Sequence, residues 1–232
     1  DEIAEDAKAL VSKGFQVIYI KVGQQDEDRD IEIIKKTRES IGPKCRLRLD
    51  PNEHWPILKF RRMVSKIISY DIDFIEQPCD AESLTALEQI HSLSPIPIAA
   101  DQSVFSLYDA FNICKNKTAD MITLGIHETG GLSNFSKIAS IAKAAGINIC
   151  IHGLYETGIT TYASHQVAAT ISNLDDGNQI MSRFLKWDII KKDQHTPIFE
   201  KCAVNMNPGL GFEINTDAVI EAKELHKKYG MK

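Results

Sequence analysis

Two spacings of apolar residues alternate along this chain. Short apolar runs such as VIYI, RLRL, DFI, IPIAA, MITL and NICI lie between longer stretches with an apolar residue at every third or fourth position. The short runs predict buried strands and the longer stretches amphipathic helices. Ile3, Ala7, Leu10 and Val11 form a helical stripe that Gly14 stops. QVIYIKVG follows as a strand, then the polar loop QQDEDRD, then a helix ending near Ile41-Gly42-Pro43. CRLRLD is the next strand, residues 55 to 69 a helix, and DIDFIE a strand. AESLTALEQIHSL is a helix that Ser94-Pro95 ends before IPIAAD. Residues 105 to 114 read as a helix, MITL as a strand, and SNFSKIASIAKAAG as a helix closed by Gly146. INICIH is a strand and residues 157 to 172 a helix. A weaker strand candidate lies within 178 to 190, and residues 198 to 214 look extended and irregular. A last helix over 216 to 229 takes Asn215 or Thr216 as its cap.

Strict alternation of strand and helix predicts a parallel sheet with helices outside. A doubly wound sheet is the alternative, but no GxGxxG follows the first strand. Polar residues end nearly every strand, which suits a barrel, where all βα loops share one face. The expected class is α/β, a (β/α)8-type TIM-like barrel that is incomplete at its N-terminus. No internal boundary is visible, so residues 1–232 read as one domain. The chain starts without Met inside a helical pattern, which suggests a fragment.

With 232 residues, 43% hydrophobic and 25% charged, the chain can fill one core. A net charge of −5 and the lack of a basic stripe argue against nucleic acid as a partner. No apolar span reaches membrane length and no signal peptide is expected. Cys45, Cys79, Cys114, Cys150 and Cys202 include no CxxC pair and read as free thiols in a reducing cytoplasm.

The chemistry gathers at the strand ends. Asp50 closes CRLRLD, Glu76 closes DIDFIE and Asp101 closes IPIAAD, 26 and 25 residues apart, one βα unit each. Three carboxylates at neighbouring strand ends repel one another unless a cation lies between them. An all-oxygen donor set suits a hard ion such as Mg²⁺, Mn²⁺ or Ca²⁺ rather than zinc. Lys21 ends the first strand on the face it shares with Val17 and Tyr19. It is a candidate base, or simply a partner of one carboxylate. His152 ends INICIH across the ring from Lys21 and is either an acid/base group or structural. Glu156 is open between orienting that histidine, binding substrate and capping the next helix. Asn52 reads as a donor to a strand-end group or as an Asx turn. Gln77 and Gln102 each follow a proposed ligand and are candidate supporting donors. His127 and Glu128 read as solvated loop residues, with an orientation into the site as the alternative. Gly130-Gly131 and Gly209-Leu210-Gly211 are backbone devices. His54, His91, His165, His195 and His226 receive no role.

Taken in order, Y-I-K-V-G, L-D-P-N, I-E-Q-P, A-A-D-Q-S, E-T-G-G-L, H-G-L-Y-E-T-G and N-P-G-L-G-F-E-I resemble the enolase superfamily, in its mandelate racemase and muconate lactonizing enzyme branch. The resemblance covers nearly the whole chain. It implies Mg²⁺ held by Asp50, Glu76 and Asp101, and Lys21 as the second lysine of a K-x-K base motif. It also places His152 where one branch carries an acid/base histidine. The chemistry it implies is removal of the proton α to a carboxylate, giving an enolate stabilised by positive charge. Two positions depart from the pattern. Tyr19 stands in place of the first K-x-K lysine. Gly125 stands where the family carries a lysine or a histidine-pairing aspartate. The capping domain and the first barrel strand are expected to be missing, and residues 198–232 to pack back on that domain. A small-molecule carboxylate substrate, a homo-oligomer and a cytoplasmic location follow from the same resemblance.

The leading expectation is a dehydratase of an acid sugar or hydroxy acid, with Lys21 as base and His152 as acid. A racemase or epimerase of a hydroxy acid or amino-acid derivative is the alternative, followed by a cycloisomerase. A non-catalytic metal-binding paralogue is a further one.

Overall fold

A computed structural model describes residues 2–191, 204 and 206–230. Cys202, His195 and the start of the 198–214 segment lie outside the described residues. Six strands form one sheet in the order β1 to β6: Val17–Lys21, Arg46–Asp50, Ile72–Glu76, Ile98–Ala100, Met121–Leu124 and Asn148–Ile151. All five pairings are parallel. The helices α1 to α8 are Glu2–Ser12, Glu27–Ile41, Ile57–Ile67, Leu84–Leu93, Leu107–Asn116, Leu132–Ala144, Gly158–Ala168 and Thr216–Tyr229. Asp26, Ser83, Ser106 and Asn215 cap α2, α4, α5 and α8 with side-chain oxygens on the first-turn amides.

Sequential strand order has no switch point, which excludes the doubly wound alternative. The sheet is also strongly curled. Arg48 on β2 donates to the carbonyls of Asp176 and Gly177 at 2.8 and 3.1 Å. Those residues follow a segment that pairs with β6 through an Ile149–Leu174 bridge. On a flat sheet, strands about 4.8 Å apart would separate β2 from that segment by roughly five spacings, beyond an arginine's reach. The sheet must therefore bend round until its two edges face each other across a polar link.

Strand alternation builds the interior in layers. Tyr19, Phe74, Ala99, Met121 and Cys150 pack together on the inner face, with the buried Arg48 guanidinium 4.5 Å from the Phe74 ring. The larger core lies outside the sheet, where Leu47, Leu49, Ile75, Ile98, Ile122 and Ile149 meet the helices. Two residues beyond each inner position stand Lys21, Asp50, Glu76, Asp101, Thr123 and His152. Period two thus carries the inner face upward into a ring of polar ends.

One strand expectation needs correction. The seventh pairing segment is not 178 to 190. It starts at Asn173, whose carbonyl accepts from Ile149 N, and runs to Gln179, which donates to the Ile151 carbonyl. Residues 182–184 form a 3₁₀ turn instead.

Candidate active site

Each strand-end carboxylate is held differently. Asp50 is buried and accepts from Asn52 N at 2.8 Å, an Asx turn that fixes the loop leaving β2. Lys21 is ion-paired with the other Asp50 oxygen while its side chain stays 67% exposed. Glu76 is buried, and its Oε2 finds no hydrogen-bond partner among the described residues. Burial pushes the Glu76 carboxyl well above its ordinary value, and the adjacent Asp101 charge raises it further. Asp101 is also raised by burial, a shift that His152 opposes and Asp50 adds to.

His152 approaches the same cluster from β6, with Nε2 3.4 Å from Asp101 Oδ1 and 3.8 Å from Glu128 Oε2. Lys21 and His152 therefore meet the carboxylates at separate points, one through Asp50 and the other through Asp101.

Gln77 ties this arrangement together. It is fully buried, and its Oε1 accepts from Asp101 N at 3.0 Å and Ser103 N at 3.2 Å. Its Nε2 donates to the Cys79 carbonyl and to Ser103 Oγ at 3.0 and 2.9 Å. Three of these four bonds hold the end of β4 against the end of β3, and the fourth fixes the loop leaving β3. Gln102, by contrast, has a buried Oε1 with no partner among the described residues.

Several expectations change here. Asn52 takes part through its backbone, with φ 48°, and among the described residues no side-chain bond of it to a strand-end group is found. Tyr19 lies one layer below Lys21, edge-on to Phe74 at 5.8 Å with its hydroxyl buried, and belongs to the interior packing. Glu156 does not cap α7: Thr157 holds the cap position, and Glu156 Oε1 accepts from Met181 N at 2.9 Å. The solvated-loop reading holds for His127, which is exposed, but fails for Glu128, whose side chain is only 12% exposed. A cavity of about 10 Å³, room for about one water molecule, lies among Gly125, Glu128, His152 and Glu156.

Thr123 escaped the sequence reading. It is buried at the inner face of β5, beside Glu76, and its hydroxyl donates to the Ala100 carbonyl at 3.3 Å. The signal was present as the lone hydroxyl in MITL, on the same parity as Met121.

Comparison with known proteins bears on the whole barrel. Residues 2–218 match the family described as enolase C-terminal domain-like. The L-Ala-D/L-Glu epimerase of Bacillus subtilis is 31% identical over 193 residues, which are 82% of this chain and 52% of that protein. Muconate cycloisomerase 1 of Rhodococcus opacus is 31% identical over 222 residues, 94% of this chain and 59% of that protein. The dipeptide epimerase of Cytophaga hutchinsonii, solved with Mg and the dipeptide D-Ala-L-Val, superposes with a TM-score of 0.87 at 25% identity, covering 94% of this chain and 59% of the other. The chain thus spans a little over half the length of these relatives. Its curled parallel sheet is part of a TIM-type barrel, and the chain belongs to the enolase superfamily, in the mandelate racemase and muconate lactonizing enzyme branch.

Proposed function

We propose that this chain forms the catalytic barrel of an isomerase, an epimerase or racemase that moves a proton at the carbon α to a substrate carboxylate. One observation carries the reading: Lys21 and His152 reach the same buried carboxylate cluster from different strands, at Asp50 and at Asp101. A 1,1-proton transfer needs two such groups, one on each face of a planar intermediate.

In this reading Lys21 takes the α-proton, and the C–H electron pair moves into the carboxylate as an enediolate. His152 returns a proton to the opposite face, inverting the centre. The reverse direction exchanges the two roles. Gln77 keeps the Asp101 end of the cluster in place, and the inner layer under it excludes water.

The donor set fits a hard divalent cation, Mg²⁺ or Mn²⁺. Asp50, Glu76 and Asp101 are all oxygen donors, and the buried Glu76 Oε2 has no hydrogen-bond partner among the described residues. Among the described residues no group of three or more such side chains stands in a closed ligand geometry, and Lys21 holds Asp50. When bound, the ion supplies positive charge against the charge that develops on the substrate carboxylate.

The relatives shift the order of expectations. Those matched here are named epimerases and a cycloisomerase, which favours isomerisation over the dehydration put first from the sequence. Dipeptides and N-acylated amino acids are the first substrates to try. The same proposal includes association between copies, a cytoplasmic setting, and a C-terminal segment that packs on a capping domain. Helix α8 supports the last point: it has no buried residue, and Ile220 and Tyr229 are exposed.

The test uses the full-length protein with Mg²⁺ in D₂O and a panel of dipeptides, N-succinyl amino acids and acid sugars. α-Deuteration with inversion is expected, and Lys21→Ala should slow it by about 10²–10⁴-fold. Release of a keto acid would assign a dehydratase instead. Full exchange in Lys21→Ala would remove Lys21 from its role.

A further inference from the structure

We propose that Glu128 supplies from a loop the carboxylate that a side chain at position 125 would otherwise provide, and so acts as the positioning residue for His152. The inference rests on the reading of His152 as one of the two proton-transfer groups.

Gly125 follows β5 on the inner parity of Met121 and Thr123, so a side chain there would enter the mouth beside His152. Its backbone lies outside the left-handed region, so conformation does not require glycine. Occupancy does. A Cβ at 125 would fall 2.0 Å from Glu128 Oε2 and 2.9 Å from Glu128 Cδ, with His152 Nε2 at 3.0 Å. The Glu128 carboxylate and a side chain at 125 are alternative occupants of one place.

The loop is folded to put it there. Thr129 Oγ1 donates to the Gly125 carbonyl at 2.9 Å, and Gly131 N donates to the Ile126 carbonyl at 2.9 Å. Gly130 and Gly131 take φ 76° and 110°, values that let the chain turn back on itself. This closes a tight turn over Ile126, His127 and Glu128 and returns the Glu128 side chain over the Gly125 α-carbon.

Both Glu128 carboxylate oxygens are buried with no hydrogen-bond partner among the described residues. A buried, unbonded carboxylate is costly unless a cation compensates it. His152 Nε2 lies 3.8 Å from Glu128 Oε2 and is positioned to be that partner. At that distance the carboxylate is a close neighbour of Nε2, with Asp101 Oδ1 at 3.4 Å on the same nitrogen, and the two together limit the ring's orientation. Glu128 is thus suited to hold His152 while Lys21 is held by Asp50 on the other side. The glycine at 125 is then the space that the loop carboxylate needs.

The test compares both enantiomeric or epimeric forms of a panel compound in D₂O, using the full-length protein with Mg²⁺. In Glu128→Ala, exchange from the isomer whose proton faces His152 should fall about 10–100-fold, with KM little changed. Exchange from the isomer facing Lys21 should persist. The double variant Gly125→Asp/Glu128→Ala should recover at least part of the lost exchange. Equal loss for both isomers, or no loss for either, overturns the positioning role. A second measurement needs no turnover. Gly125→Ala should lower the Tm of the wild-type protein by a few degrees and that of Glu128→Ala by clearly less, since only the His152 Nε2 contact at 3.0 Å remains there. If Gly125→Ala is equally disruptive in both backgrounds, the shared place is refuted. If the wild-type protein exchanges neither isomer, the isomerase reading fails, and the Tm comparison alone decides whether Glu128 occupies the space at 125.

Discussion

The barrel holds two polar clusters that differ in how their charges balance. Near the start of the strands, Arg46 and Arg48 face Asp73 and Asp175. Arg48 bonds Asp73 at 2.7 Å and Asp175 at 3.1 Å, and Arg46 bonds the same two acids at 3.0 and 2.8 Å. Two positive groups meet two negative ones, and the remaining guanidinium donors find the Asp176 and Gly177 carbonyls. At and just beyond the strand ends, Asp50, Glu76, Asp101, Glu128 and Glu156 gather with Lys21 and His152 as the basic groups among the described residues. Oxygens of Glu76, Glu128 and Glu156 there lack hydrogen-bond partners among the described residues. A balanced cluster satisfies its own buried groups and stabilises one geometry. An under-compensated one raises carboxyl pKa values and has capacity left for a cation and a substrate. Charge balance separates the structural end of the barrel from the chemical end.

The largest test of this contrast is Glu76→Gln. It should abolish turnover and the rise of Tm with Mg²⁺. Without metal it should stabilise the fold, because the wild-type carboxyl is raised by burial and by Asp101. The sign follows from proton binding: the folded chain holds this proton more tightly than the unfolded one. Its contribution is therefore favourable on the acid side and is lost as pH rises from the ordinary carboxylate range through the raised value. In EDTA, the Tm of Glu76→Gln should exceed wild type at pH 8 and converge with it near pH 4. A variant no more stable than wild type at pH 8 would contradict the under-compensated description.

At the other end the sign reverses. Arg48→Ala should cost about 3–5 kcal/mol in urea unfolding, because it leaves Asp73 and Asp175 under-compensated and the barrel edges unlinked. Loss below about 1 kcal/mol would mean that the cluster does not hold the curled sheet.

A smaller effect is expected between the two clusters. Gln77→Leu should cost about 1–3 kcal/mol by stranding the Asp101 and Ser103 amides, and should raise the Mg²⁺ concentration needed for activity. Unchanged Mg²⁺ dependence would show that Asp101 is held without it.

The smallest concerns Gly177, at φ 79°, where a Cβ would meet Arg48 Nη1 and Val17 Cγ1 at 2.8 Å each. Gly177→Ala should destabilise by about 1–2 kcal/mol and leave catalytic residues untouched.

Much of this was legible from the chain. Strand period places Lys21, Asp50, Glu76, Asp101 and His152 on one face and at one end, because side-chain direction in a strand is a local property. Helix stripes and caps were legible for the same reason: Asn215 caps α8 as expected. The seventh pairing segment was displaced because its signal is weak: it meets β6 through one bridge, the Gln179 N bond to the Ile151 carbonyl and the Asn178 side chain, which accepts from Ile151 N at 2.7 Å.

By itself, then, the sequence determined the α/β class, the order of strands and helices, and which residues end the strands. Those depend on period, turn residues and short-range bonding. The tertiary structure alone decided that Arg48 bridges from β2 to residues 175–177, that Gln77 clamps Asp101, that Glu156 holds Met181 rather than a helix cap, and that Glu128 lies over Gly125. Each depends on distances between segments far apart in the chain or on a loop's fold in three dimensions. Spacing along the sequence carries no measure of those distances until the sheet has curled.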